Sequence, residues 1–188
     1  NFNLTNENVV WFLHAMYWAA VHYTSVHGVW IGIKAIGGQE FSSNLIKEQD
    51  QINNDLPENL EEMIYLGGMI KESLRKECVF ALPRRALKDI HYKDYTINQG
   101  DVIAISPYLE HYNPAHFEDP NRYDPLRWCT TEVNKQMLIP GGLGYFGCIG
   151  MDLASQVLKI IWAELFKHYD LTLLVKAPQR KFNLLLFK

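Results

Sequence analysis

The sequence predicts a mainly α protein with small β-sheets. Three observations carry that reading. Residues 9–36 form a long apolar run with no proline. Residues 58–77 and 151–169 repeat apolar side chains at helical spacing. Between them, "HYKDYTI" and "VIAIS" are rich in strand formers and flank the turn sequence "NQGD".

The first run, "VVWFLHAMYWAAVHYTSVHGVWIGIKAI", has the length of a membrane span. His14, His22 and His27 are costly in lipid, and the N-terminal side lacks Lys/Arg anchors. A long helix buried in a larger protein accounts for it better. At about 100° per residue, His14 to His22 turns about 80° and His22 to His27 about 140°. The three therefore share no face and make a poor metal site.

Residues 37–55 open on "GG" and read as a loop plus a short helix ending before "NNDLP". The helix over 58–77 puts Met63, Leu66, Ile70 and Leu74 on one face. Gly67 and Gly68 in its middle cost about 1 kcal/mol each against Ala, so a neighbouring element is expected to approach closely there. A hairpin around "NQGD" follows. Four prolines from Pro107 to Pro125 then forbid a long helix, leaving a structured loop. The last helix, from Met151 to about Tyr169, carries Leu153, Val157, Leu158, Ile161, Trp162 and Leu165 on one side. The tail, "LTLLVKAPQRKFNLLLF", reads as two strands around a turn at Pro178.

With 188 residues, 48% hydrophobic and 21% charged, the chain can bury a sizeable core. A net charge of -3 argues against nucleic-acid binding, which needs clustered Lys and Arg. Cys78, Cys129 and Cys148 cannot all pair within one chain, and no CxxC supports a structural zinc site. The chain does not open with Met, shows no signal-peptide pattern and reads as a fragment.

The segment "GGLGYFGCIGMDLASQ" holds the chemistry. Cys148 sits just before the last helix, where unpaired N–H groups and the positive end of the helix dipole suit a thiolate. Glycines at 141, 142, 144, 147 and 150 let the backbone approach something flat or bulky. Such a thiolate can attack a carbonyl, exchange redox equivalents or ligate a metal. Nucleophilic use wants a His base, and redox exchange wants a second nearby Cys. Neither is local. A lone Cys ligand requires a cofactor that brings the other ligands, as haem does. A buried structural cysteine is the fourth reading left open by the loop alone.

Three further features accompany the loop. "KESLR" sets Glu72 and Arg75 at i, i+3, so they can pair on one helix. "DPNRYDPLRW" sets Arg127 in the proline-rich loop, and "AVHYTS" lies mid-way along the first helix. An ExxR, a PxxYxPxR-like loop and a GxGxxxCxG, in this order over residues 9–174, resemble the cytochrome P450 family of haem-thiolate monooxygenases. The stretch "YTINQGDVIAISPYLEHYNPAHFEDPNRYDPLRW" is similar to the sterol 14α-demethylase group.

The resemblance implies the C-terminal half of the cytochrome P450 fold. Its parts would be a long oxygen-activating helix, ExxR helix, β-hairpin, proline-rich loop, Cys loop and last helix. Residues 1–188 would be the haem-binding part of a single domain whose N-terminal half is absent from this chain. Cys148 would be the axial ligand of haem (iron protoporphyrin IX), its electron-rich thiolate favouring O–O cleavage. Gly142, Gly144, Ile149 and Gly150 would line the cofactor. Arg84 would fork onto a haem propionate, with Arg85 as a rival. Glu72, Arg75 and Arg127 would form a buried triad locking helix to loop; taken alone, Glu72 and Arg75 are an ordinary exposed pair. Thr24 would serve oxygen activation, with Ala20, Val21 and Tyr23 facing the substrate pocket.

The implied activity is monooxygenation, namely oxidative demethylation of a sterol in sterol biosynthesis. Its electrons would come from NADPH through a reductase. Alternatives are a cytochrome P450 acting on another lipid or small molecule, a degenerate non-catalytic homologue and, more distantly, a thiol hydrolase. The missing upstream half would carry the anchor to the endoplasmic reticulum membrane, placing the domain on its cytosolic face.

Four positions depart from the family pattern. Gly141 replaces a Phe that shields the sulfur. Phe146 replaces a basic partner of a propionate, a loss of about 1.5–3 kcal/mol on the scale of charged hydrogen bonds. Tyr23 replaces an acid or His before the Thr, and an unperturbed Tyr with a pKa near 10 is a poor proton shuttle at neutral pH. His22 could replace it only if the helix distorts. Val21 replaces Gly and narrows the groove beside it.

Overall fold

A computed structural model describes residues 5–52, 60–78, 81–130 and 138–174. Helix α1 spans Asn6–Gly37. Thr5 caps it by accepting from the Asn8 N–H. Residues 6–18 are exposed throughout, and burial begins in earnest at His27, Ile31, Gly32 and Ala35. No helix among the described residues is long and apolar enough to cross a membrane.

Gly38 breaks the chain, and α2 spans Gln39–Gln51 at once, so the expected loop shrinks to one residue. A short 3-10 turn at Leu60–Glu62 precedes α3, Ile64–Lys76. The sequence placed this helix start at residue 58; residues 53–59 lie outside the described part. Both Glu48 carboxylate oxygens accept from the otherwise orphaned N–H groups of Tyr65 and Leu66, which caps α3 from α2.

The final helix, α5, spans Met151–His168. It crosses α1 where glycines make room. A Cβ on Gly32 would lie 2.2 Å from the Trp162 ring, and one on Gly28 would lie 3.2 Å from Leu158. Ile31, Ala35, Leu45, Met63, Leu66, Met69, Ile70, Leu158, Trp162 and Ala163 form the shared core of α1, α2, α3 and α5. Each large apolar side chain buried there contributes about 1.5–3 kcal/mol. The face expected for α5 is partly corrected. Leu158 and Trp162 are buried, but Leu153 is 71% exposed and Ile161 44%.

The β region corrects a second expectation. Strands β1 (Leu82–Arg85), β2 (Ile90–Tyr92), β3 (Tyr95–Ile97) and β4 (Val102–Ile105) form two separate antiparallel pairs. The tight hairpin spans Ile90–Ile97, with Ile90 opposite Ile97 and Lys93 at φ 51 in its turn. β4 pairs with β1, Leu82 opposite Ile105 and Arg85 opposite Val102. The "NQGD" turn therefore joins two ladders rather than two partners. Gly100, at φ 94, supplies its left-handed residue and donates to the Ala86 carbonyl. A short helix α4, Pro107–His111, opens the proline-rich segment. The expected strands of the tail do not begin within residues 171–174, and Pro178 lies outside the described residues.

Candidate active site

The site is built outward from α3. Glu72 and Arg75 are both fully buried and meet in a bidentate pair. Arg75 Nη2 is 2.7 Å from Glu72 Oε1, and Nε is 2.9 Å from Oε2. Glu72 also accepts from Trp128 Nε1 at 2.9 Å and from the Asp124 N–H at 3.0 Å. Arg75 spends its remaining donors on carbonyls of the proline-rich segment: His111 at 2.6 Å, Pro120 at 2.9 Å and Arg122 at 3.2 Å. Its guanidinium lies over the Phe117 ring at 5.1 Å. Every charge-bearing atom is thus partnered, the condition under which a buried ion pair is tolerable.

Arg127 joins this hub more loosely. Its Nε stands 3.7 Å from Glu72 Oε2 without a hydrogen bond, while Nη1 donates to the Glu118 carbonyl at 2.8 Å. Tyr123 adds a second tie, donating to the Met69 carbonyl at 3.0 Å and meeting Ser73 Oγ at 2.8 Å. Burial raises the Tyr123 phenol well above its ordinary range. Gly68 explains itself here, because a Cβ would lie 2.5 Å from the Pro125 carbonyl oxygen. The proline-rich loop sits directly on the backbone of α3.

Beyond the hub comes the cysteine loop. The Cys148 N–H donates to the Gly141 carbonyl at 2.9 Å, closing the loop at the base of α5. Gly142 and Gly144 hold φ 83 and 63, and a Cβ on Gly144 would meet nothing within 4 Å. Cys148 itself is exposed. Apolar side chains around it are exposed as well, Leu143 at 60%, Tyr145 at 96% and Ile149 at 90%. At Gly141 the absent side chain is replaced from outside. A Cβ there would lie 2.5 Å from Met151 Cε and 2.8 Å from Cys148 Cβ. Met151 thus occupies the space beside the cysteine that a larger residue 141 would fill.

A match to the family described as Cytochrome P450 spans residues 1–187. The chain belongs to the cytochrome P450 family. Sterol 14-demethylase of Arabidopsis thaliana is 29% identical over 95% of this chain and 40% of its own length. Obtusifoliol 14-alpha demethylase of Triticum aestivum is 27% identical over 95% of this chain and 43% of its own length. Cytochrome P450 monooxygenase sdnH of Sordaria araneosa is 36% identical over 62% of this chain and 23% of its own length. The chain spans about two fifths of the length of the first two relatives.

Cytochrome P450 membership implies haem, and the residues present fit it. One exposed thiol stands on a glycine loop with open space at Gly144 and an apolar collar. No group of three or more His, Cys, Asp or Glu able to hold a metal exists among the described residues. Haem is a metal that arrives with its other ligands and asks the protein for one axial donor, which Cys148 would supply.

Among the residues singled out from the sequence, the structure joins Glu72, Arg75 and Arg127, and groups Gly142, Gly144, Ile149 and Gly150 with Cys148 on one loop. Arg84 and Arg85 are exposed on β1. Arg84 Nη1 donates to the Pro83 carbonyl at 2.8 Å and Arg85 Nη1 to the Gly100 carbonyl at 3.0 Å. Ala20 and Val21 are exposed on α1, with Tyr23 and Thr24 half-buried. Burial raises the Tyr23 phenol above its ordinary value, which weakens it further as a proton donor at neutral pH. His22 stacks on Trp18 at 4.6 Å, and α1 runs helical through this stretch without the distortion a substitute shuttle would need. The Phe146 side chain lies outside the described part. The sequence reading missed His111, Trp128 and Met151. Trp128 had a signal, standing next to Arg127. His111 and Met151 matter only through contacts that the fold creates.

Proposed function

We propose that this chain is the C-terminal, haem-binding part of a monooxygenase that oxidatively demethylates a sterol. The observation that carries this reading is the exposed Cys148 thiol on a glycine loop at the start of α5, together with a fully partnered Glu72–Arg75 hub. Cys148 would be the axial ligand of the haem iron, with Gly142, Gly144, Ile149 and Gly150 against the ring and Arg84 forked onto a propionate. Bound haem supplies the dioxygen chemistry. Glu72, Arg75 and Arg127 fix the loop below it, a geometric rather than a stabilising role. Thr24 would hold a proton-carrying water at its hydroxyl through its backbone-bonding capacity. A lipophilic substrate would lie over Ala20, Val21 and Tyr23. Electrons would come from NADPH through a reductase, at the cytosolic face of the endoplasmic reticulum membrane to which an upstream anchor would tie the protein. The 14-demethylases that match most of this chain support the sterol assignment.

A second reading, a cytochrome P450 acting on another lipid or small molecule, is favoured by one observation. Farnesoate epoxidase of Bombyx mori is 30% identical over 80% of this chain.

The test is the ferrous–carbonyl difference spectrum of this chain expressed with its upstream coding sequence. A strongly red-shifted band, lost in Cys148→Ser and kept in Cys78→Ser and Cys129→Ser, is the expected result. A band at the neutral-ligand position, or retention in Cys148→Ser, overturns the ligand assignment. Titration with sterols against other lipophiles then separates the two substrate readings.

A further inference from the structure

His111, the last residue of α4, is fully buried and uses both ring nitrogens. The Ile139 N–H points at Nε2 over 3.0 Å, so Nε2 must offer its lone pair. The proton then sits on Nδ1, which donates to the Arg75 carbonyl at 3.0 Å. The neutral ring is consistent with its burial, which lowers its pKa to about 4. The histidine is gripped in return, since Arg75 Nη1 donates to its own carbonyl at 2.6 Å.

Ile139 begins the cysteine loop. Its carbonyl accepts from the Gly142 N–H at 3.2 Å, and the Gly141 carbonyl accepts from the Cys148 N–H at 2.9 Å. A continuous run of bonds and covalent backbone thus leads from Arg75, through the His111 ring and Ile139, to the backbone of Cys148. Among the described residues Arg127 offers no comparable tie, its contacts being with Glu72 and the Glu118 carbonyl.

We infer that His111 is a positioning residue for Cys148, transmitting the fixed position of the Glu72–Arg75 hub to the cysteine loop through the Ile139 N–H. This rests on reading Cys148 as the iron ligand, but the hydrogen-bond connection can be tested without haem.

The two ring nitrogens can be removed separately. His111→Asn keeps a donor near Nδ1 and loses the acceptor for Ile139. His111→Gln keeps an acceptor near Nε2 and loses the donor to Arg75. Each variant forfeits one buried hydrogen bond, so both should unfold at similar denaturant concentrations. Only His111→Asn should release the loop. In this chain without haem, deuterium uptake by peptides covering 139–148 should quicken roughly tenfold in His111→Asn, the factor that about 1.4 kcal/mol corresponds to. In His111→Gln the uptake rate should stay within about twofold of the parent on the same scale. Equal quickening in the two variants, or none in His111→Asn, overturns the inference. With the upstream sequence restored and haem bound, His111→Asn should convert part of the red-shifted carbonyl band to the neutral-ligand position. If the parent shows no red-shifted band while the exchange difference holds, the ligand reading fails and the positioning role stands.

Discussion

Glu72 shows how a buried charge becomes a fixed point. Two bonds from Arg75, one from Trp128 and one from the Asp124 backbone leave its carboxylate nothing to seek from water. Glu72→Gln should therefore cost about 3–5 kcal/mol, the usual result of stripping one partner from a buried pair. Urea unfolding checks this, and a loss under about 1 kcal/mol would mean the hub is wet. His111 makes a pH prediction. Its pKa is held near 4 in the fold against 6.5 in the open chain, so the unfolded chain takes up the proton first. Stability contributed by the neutral ring is present above about pH 6.5 and is lost progressively down to about pH 4, for a total of about 3 kcal/mol. His111→Gln should remove that part of the pH dependence, as measured by urea midpoints from pH 7 to pH 4. At this scale the sequence spoke unevenly. Glu72 and Arg75 were legible because i, i+3 spacing is a local property. Their burial was not legible in that spacing and came only from the family resemblance, because it depends on a loop some fifty residues downstream folding over them.

Elements tell a similar story through their glycines. Gly67 and Gly68 look alike in the sequence, yet they face different neighbours. A Cβ on Gly68 would strike the Pro125 carbonyl, a backbone atom that cannot swing aside, whereas one on Gly67 would meet only the end of Lys159 at 3.4 Å. Gly68→Ala should destabilise by roughly 1–3 kcal/mol through overpacking. Gly67→Ala should instead stabilise by up to about 1 kcal/mol through helix propensity. Thermal melts of the pair decide it, and equal effects would remove the close approach of the proline loop. The helices were readable because their apolar periods span many residues. The strand pairing was not. β-formers around "NQGD" signal strands and a turn, but only the position of β1 in space selects β4's partner. The face of α5 was misread in part for the same reason, since apolar Leu153 has no neighbour here to bury it.

On the scale of the whole molecule, burial runs along α1 as a gradient. Its C-terminal end is packed by α5 and the core, while residues 6–18 are exposed on every side. The sequence, with apolar residues all round, predicted a helix buried in a larger protein; within the described residues only one end is buried. Thirteen residues of helix extend about 20 Å. An isolated helix of that length is marginal in water, since tertiary packing normally supplies its stability. The first turns of α1 should therefore open far below the global unfolding free energy. This has a consequence for proteases. Trp11, Phe12, Tyr17 and Trp18 lie in that stretch, whereas the first Lys or Arg of the chain is Lys34. Brief digestion with chymotrypsin should trim this end while leaving the α1–α5 crossing intact. Trypsin, offered the same molecule, should leave residues 1–33 in one piece. Equal resistance to both enzymes would mean that something holds those turns after all.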